Sequence, residues 1–370
     1  MTTTANADAA GPRTLMEGSE ALVHAAIAAG CRFFAGYPMT PFTEVLEHFS
    51  RRLPEVGGVC INAESELEAI GMTWGAAATG ARAATGSVGQ GLSLMQESLA
   101  EAALARVPMV IFNMSRGQSD YFQATRGGGH GDYRTIVLAP MDVSEAVELT
   151  QLAFHLADKW RNPVLVYGDF LIAHTSEAID VQPIDFGPLP EKDWAIDGST
   201  SGTGRSRMVT SIGIGKAHSP GGGIIAHFEG IAPHLAAMQE AEQRVETGFV
   251  DDAEHIVVAF GTAAKFVRYV VRRMRADGMR VGYVRPISLW PFPTDALAEA
   301  SEGKRTVMVF ENSAGQLVDD VKIAVLGRSP IVPIGGISTD ASGFGVGDMY
   351  DAEVIRGRIE AVVAGQEVAS

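Results

Sequence analysis

The sequence predicts an α/β protein of two domains, each a parallel sheet wrapped by helices. Three observations predict it. From about Met16 onward, short apolar runs rich in β-branched residues alternate with stretches whose apolar residues recur at i, i+3, i+4 and i+7. Most of the apolar runs close on a Gly, Pro, Ser or Thr turn, as strands of such folds do. The chain has 370 residues, 46% of them apolar, more than one core absorbs, since single cores stop growing at roughly 250 to 300 residues.

In order along the chain, residues 31–36, 58–62, 81–85, 108–113 and 163–167 read as strands, and residues 42–52, 64–78, 92–105 and 143–160 as the helices between them. Together they form one doubly wound domain. Past about Asp185 the regularity fails, and residues 197–207 are so crowded with Gly, Ser and Thr that they read as loop or linker. A second α/β unit begins at His255. There a strand leads through Gly261 and Thr262, a candidate N-cap, into a helix over 263–276 closed by Gly278. Strands over 280–284 and 306–310 follow, the latter leading through a Glu311 to Gly315 turn into a helix from Gln316. The predicted organisation is a lead-in over 1–15, disordered on composition, a first domain over 16–185, an irregular segment over 186–250 and a second domain over 251–366.

Forty-four acidic against 29 basic side chains leave a formal charge of -15. That field repels phosphate backbones and anionic headgroups, which argues against nucleic-acid and membrane-surface roles. The two cysteines, Cys31 and Cys60, lie in apolar strand-like runs, too few for a disulfide framework and without the spacing that holds zinc or iron–sulfur clusters. No metal site is predicted, and electrons, if handled, must pass through another chain. No stretch approaches the roughly 18 apolar residues that span a bilayer, and residues 1–12 lack the features of a signal peptide, so a cytoplasmic protein is expected.

Chemistry-bearing residues gather where strands end, the place where open α/β sheets bind ligands. Gly36-Tyr37-Pro38-Met39-Thr40-Pro41 is a stiff turn that can hold Thr40 toward the crevice, although prolines at a strand exit also serve to start a helix. Glu64, Glu66 and Glu68 follow the next strand. Charge in a first helical turn accounts for Glu64. Glu66, followed by Ala69, Ile70 and Trp74 on neighbouring turns, faces packing rather than water, where desolvation favours the neutral carboxyl that can hydrogen-bond a heterocycle nitrogen. Gly86-Ser87-Val88-Gly89-Gln90-Gly91 has the place of a phosphate-cradling loop but the wrong spacing, and glycines also permit close helix–strand packing. Arg116, after the fourth strand, suits a carboxylate ligand or an ordinary surface ion pair. The run Arg126 to Asp132, with four glycines and His130, reads as a hinge or a mobile active-site loop.

Taken together, GYPMTPFTE (36–44), ESELEAIG (64–71), GQGLSLMQE (89–97), DYFQATRGGGHGDYRTIVLAP (120–140), VRPISLWPFP (284–293) and FENSAGQLVDDV (310–321) resemble the alpha subunit of the 2-oxoacid:ferredoxin oxidoreductases. The likeness covers nearly the whole chain and is to the short 2-oxoisovalerate/2-oxoglutarate-type form, without a fused gamma domain. It implies a thiamine-diphosphate pyrimidine-binding (Pyr) domain followed by a transketolase C-terminal-like domain, with the cofactor shared with a beta subunit. Glu66 would hydrogen-bond the pyrimidine N1′, Pro38 and Ser87 would line the cofactor, and Thr40 and Arg116 would take the keto and carboxylate groups of a 2-oxoacid. Oxidative decarboxylation would follow, electrons passing to iron–sulfur clusters and then ferredoxin, and coenzyme A normally receiving the acyl group. Magnesium and the clusters would belong to the beta subunit, a gamma subunit would complete the complex, and the acidic charge here argues that ferredoxin docks elsewhere.

The chain differs from that pattern in having Met39, Phe42 and Val88-Gly89-Gln90-Gly91, and in a short connection, only Gln118 and Ser119, between Arg116-Gly117 and the block at Asp120. Competing readings are the beta chain of a lipoamide-linked 2-oxoacid dehydrogenase or a transketolase-like half enzyme, which share the domain order, and a non-catalytic scaffold subunit.

Overall fold

The computed structural model describes residues 13–198, 210–211, 224–343 and 345–367. Residues 1–12 of the lead-in over 1–15 and nearly all of the Gly/Ser/Thr-rich stretch over 197–207 lie outside these; Thr14 and Leu15, expected to be disordered, belong instead to the strand β1. In chain order the elements are β1 (Thr14–Glu17), α1 (Gly18–Ala28), β2 (Phe33–Gly36), α2 (Thr43–Arg52), β3 (Val59–Asn62), α3 (Glu66–Ala78), β4 (Ala83–Ser87), α4 (Gly89–Ala105), β5 (Val110–Ser115), α5 (Tyr121–Thr125), β6 (Ile136–Leu138), α6 (Val143–Trp160), β7 (Val164–Asp169), α7 (Phe170–His174) and β8 (Ser176–Ile179). After the undescribed stretch come α8 (Ile224–Glu229), α9 (Ile231–Ala241), β9 (Val245–Gly248), β10 (His255–Val258), α10 (Gly261–Ala276), β11 (Val281–Pro286), β12 (Ser288–Trp290), α11 (Thr294–Ser301), β13 (Thr306–Val309), α12 (Leu317–Val325), β14 (Ile331–Pro333) and α13 (Ala352–Val363). Among the described residues no helix is long and apolar enough to cross a membrane.

A seven-stranded sheet runs β12-β6-β7-β5-β4-β2-β3, and a five-stranded sheet runs β14-β13-β10-β11-β9. Both are parallel except for one antiparallel edge strand each, β12 against β6 and β9 against β11. The strands are apolar on both faces, as a sheet covered on both sides requires. One face of the first sheet packs Phe34, Phe49, Phe112 and Phe154 beneath the helices α1, α2 and α6. The other contributes Ile111, Val137 and Leu165 to a core that also contains Ile256, Val258, Phe260 and Leu317 of the second unit. One apolar cluster therefore joins the two sheets.

The junction is also polar. The buried Arg285 guanidinium pairs with Glu145 at 2.6 Å and with Glu246 at 2.9 Å, joining α6 to the second sheet. The helices begin where their caps direct: Ser65 Oγ accepts from Glu68 N, and Asp142 accepts from Glu145 N. Two readings are corrected. Thr262 does not cap α10, which starts at Gly261; its hydroxyl donates instead to Asp169 Oδ1 at 2.9 Å. The stretch over 186–250, expected to be irregular, holds α8, α9 and β9, and Glu242 anchors it by accepting from Lys159 Nζ, Trp160 Nε1 and Arg244 Nη2.

Candidate active site

The order β5-β4-β2-β3 makes a switch point. The chain leaves β2 toward β3 on one side and returns from β3 to β4 on the other, so the carboxyl ends of β2 and β4 flank a crevice. Each sequence-predicted site residue lies at this edge. Pro38 and Thr40 are exposed in the turn after β2, Glu66 opens α3 after β3, Ser87 ends β4, and Arg116 follows β5.

Glu66 is 2% exposed, as the apolar spacing of Ala69 and Ile70 predicts. Ser87 Oγ donates to its Oε1 at 2.8 Å, whereas Oε2 has no hydrogen-bond partner among the described residues. The helix α4 crowds this pair. A Cβ built on Gly91 would lie 2.0 Å from Ser87 Oγ and 2.3 Å from Glu66 Oε1, and one on Gly89 would lie 2.2 Å from Asp120 Oδ1. The glycines of this motif thus do not form a loop. Gly86 belongs to β4, while Gly89 and Gly91 form the first turn of α4, and each is present because side chains press against its backbone.

Arg116 reaches across to the β2 turn, its Nε and Nη2 donating to the Thr40 carbonyl at 3.2 and 3.1 Å. The Thr40–Pro41 peptide bond is cis. Thr40 thus binds Arg116 through its backbone, in an exposed turn. On the strand beside Ser87, and in register with it, Asn113 donates to Asp120 Oδ2 at 3.2 Å while its own buried Oδ1 has no partner among the described residues; the buried Thr85 Oγ1 also has none among them.

Residues not singled out beforehand brace the site from the second unit. Gln118, 2% exposed, donates through Nε2 to Phe260 O at 3.0 Å and accepts from Asn312 N at 2.8 Å. Phe122 N donates to Gln316 Oε1 at 2.8 Å, and Arg126 clamps Asp320 from two nitrogens at 3.1 and 2.9 Å. Burial first, and then the Asp320 carboxylate, hold the Tyr121 phenol well above its ordinary pKa, so it donates to Asp320 as a neutral group. The glycine run after Arg126 is not a loose hinge. Gly128 N and Gly129 N donate to Tyr133 Oη, which donates to Gln96 Oε1 of α4, and His130 pairs on the surface with Glu101. Among the described residues no three His, Cys, Asp or Glu side chains come together as metal ligands.

Residues 24–194 match the family model of the thiamine-diphosphate-binding domain of pyruvate flavodoxin/ferredoxin oxidoreductases, and residues 253–342 match pyruvate:ferredoxin oxidoreductase core domain II. Ketoisovalerate oxidoreductase subunit VorB of Methanothermobacter marburgensis is 39% identical over 321 residues, covering 84% of this chain and 89% of that protein. The 2-oxoglutarate synthase subunit KorA of Methanothermobacter thermautotrophicus is 34% identical over 351 residues, covering 85% and 92%. Among solved structures, a chain of 2-oxoglutarate:ferredoxin oxidoreductase from Magnetococcus marinus superposes with a TM-score of 0.78 at 25% identity, covering 94% of this chain and 65% of its own length. A split-gene transketolase, at 12% identity and a TM-score of 0.58, shares the fold alone.

Proposed function

Since the chain belongs to the pyruvate flavodoxin/ferredoxin oxidoreductase family, we propose that it supplies the pyrimidine side of a thiamine-diphosphate site completed by a beta subunit, for the oxidative decarboxylation of a 2-oxoacid. The observation that carries this reading is the Glu66 carboxyl, 2% exposed, with Oε1 fixed by Ser87 and Oε2 without a hydrogen-bond partner among the described residues. These residues fit the cofactor. Oε2 would hold the proton shared with the pyrimidine N1′, Ser87 holds the carboxyl at Oε1, and Pro38 and Ser87 would line the cofactor. When bound, thiamine diphosphate supplies the carbanion-stabilising chemistry that decarboxylation needs.

Arg116 is well suited to the substrate carboxylate, because a guanidinium held by the Thr40 carbonyl through two nitrogens has a fixed direction at the crevice edge. Thr40 Oγ1, on the turn that Arg116 grips, would donate to the keto oxygen. Ferredoxin as electron acceptor and coenzyme A as acyl acceptor belong to the same reading, as does a gamma subunit in the complex. Magnesium and the iron–sulfur clusters are assigned to the partner chains. In support, clusters require thiolates, and burial pushes the Cys31 thiol up to about 12 and the Cys60 thiol up to about 11.

The test is Glu66→Gln in the complex with its partner subunits. The change conserves volume and can keep the Ser87 contact, so thermal stability is expected to stay within a few degrees of wild type while turnover falls by at least roughly 100-fold, the usual scale of a lost proton-transfer group. Wild-type turnover would instead favour a scaffold role for this chain.

A further inference from the structure

We infer that Gln118 is a positioning residue for Arg116, and that through it the second unit of the chain sets the affinity for the 2-oxoacid. This rests on the reading of Arg116 as the carboxylate-binding group.

Arg116 leaves the sheet immediately after Ser115, the last residue of β5, whose backbone is fixed by its pairing with Asp169 of β7. On that side the arginine is held by the ladder. On the other side Gly117 contributes no side chain, its N–H donating only locally to Ser115 Oγ at 3.4 Å, and the next residue anchored from outside the strand is Gln118. Its main-chain N–H donates to Asn312 O at 2.9 Å, its Oε1 accepts from Asn312 N at 2.8 Å, and its Nε2 donates to Phe260 O at 3.0 Å. Three hydrogen bonds therefore fix a residue two positions from Arg116, and all three end on the second unit. Asn312 is itself immobilised, its carboxamide donating to Ser338 O and accepting from Ser338 N, both at 2.9 Å.

The connection is too short to absorb slack. A glycine alone separates the arginine from the anchor, so a shift of Gln118 passes to the Arg116 backbone and from there to a guanidinium that grips the Thr40 carbonyl. A solvated glutamine at a loop tip would have no such effect. This one is 2% exposed, with its carboxamide oxygen and nitrogen both engaged by backbone groups, an arrangement that specifies one position rather than contributing generic polarity.

The experiment is a double-mutant cycle in the complex of this chain with its partner subunits, using Gln118→Met, Arg116→Ala and both together. Gln118→Met keeps length and volume but removes both carboxamide bonds. It is expected to raise the KM for the 2-oxoacid on the order of tenfold, with kcat within about threefold and half-saturation by thiamine diphosphate unchanged, as a partial misplacement of a binding group would do. Added to Arg116→Ala, it should raise KM no further. A wild-type KM in Gln118→Met alongside a raised KM in Arg116→Ala overturns this inference alone. The same fold-rise on top of Arg116→Ala overturns it too, because the bridge would then act elsewhere. An unchanged KM in Arg116→Ala removes the reading of the arginine, and this inference with it. If the Met variant fails to assemble, Gln118→Asn, whose shorter carboxamide cannot span Phe260 O and Asn312 N together, serves in its place. A smaller KM rise in the same direction is expected, and a wild-type KM overturns the inference.

Discussion

Replacing Gly91 by Ala adds one methyl group at the most crowded point of the site. The new Cβ would stand 2.0 Å from Ser87 Oγ, 2.3 Å from Glu66 Oε1 and 2.5 Å from Ser87 Cβ, where separations under 3.0 Å are essentially never seen. The hydroxyl must therefore retreat by about 1 Å and the carboxyl oxygen by somewhat less, or α4 must lift off β4 by a similar distance. The first movement breaks the 2.8 Å bond between Ser87 and Glu66, neither of which lies on α4. Overpacking of this kind costs about 1 to 3 kcal/mol, and the better helix propensity of Ala offsets up to about 1 kcal/mol of it, so the chain still folds. Misplacing a reacting group by about 1 Å costs on the order of 100-fold in rate. The assay is 2-oxoacid-dependent reduction of ferredoxin by the assembled complex, read beside a thermal melt. Gly357→Ala, on the exposed face of α13 with nothing within 4 Å of the added carbon, is the control and should melt slightly higher with wild-type turnover. Wild-type turnover in Gly91→Ala would refute the claim that this contact fixes the carboxyl proposed to act in catalysis.

Arg116→Ala should raise the 2-oxoacid KM by about 10- to 100-fold with a smaller effect on kcat, because a charge-assisted contact to a carboxylate is lost; steady-state kinetics across substrate concentration checks it. Glu242→Gln should destabilise the chain by about 2 to 3 kcal/mol at neutral pH, since it weakens three donor contacts to a buried carboxylate. Burial alone would raise the pKa of Glu242, but the bonds from Lys159, Trp160 and Arg244 outweigh it and hold the carboxyl below its ordinary value. The stabilisation is therefore fully present above about pH 4.3 and is lost as pH falls through the depressed value, so the melting difference between wild type and variant should narrow on acidification. A difference that does not change with pH would contradict this.

Much of the first sheet was legible because its strands are short apolar runs ended by turn residues. The helix over 143–160 was read to the residue, its amphipathic period being unbroken from Asp142 to Arg161. Glu66 could be placed indoors from Ala69 and Ile70 alone. The start of α4 could not be placed, because three glycines in six residues look like a loop to propensity, and only the side chains of Phe42, Asp120 and Glu66 pressing on them require glycine there. Thr262 looked like a cap because nothing nearby in sequence reveals Asp169, its actual partner. Gln118 was invisible for the same reason. Between a glycine and a serine it reads as solvated, and the groups that bury it, Phe260 and Asn312, come from far along the chain.

The strand β12 belongs by sequence to the second unit but pairs with β6, through Ser288 and Trp290, at the rim of the first sheet. Without it, β6 would present a bare row of amide and carbonyl groups able to recruit a strand from a neighbouring molecule. Three residues with an irregular register, followed directly by Pro291, make a poor template for further growth. The first unit is thus sealed by a piece of chain made more than a hundred residues after β6, and a nascent polypeptide halted before residue 286 would carry that open rim into the cell.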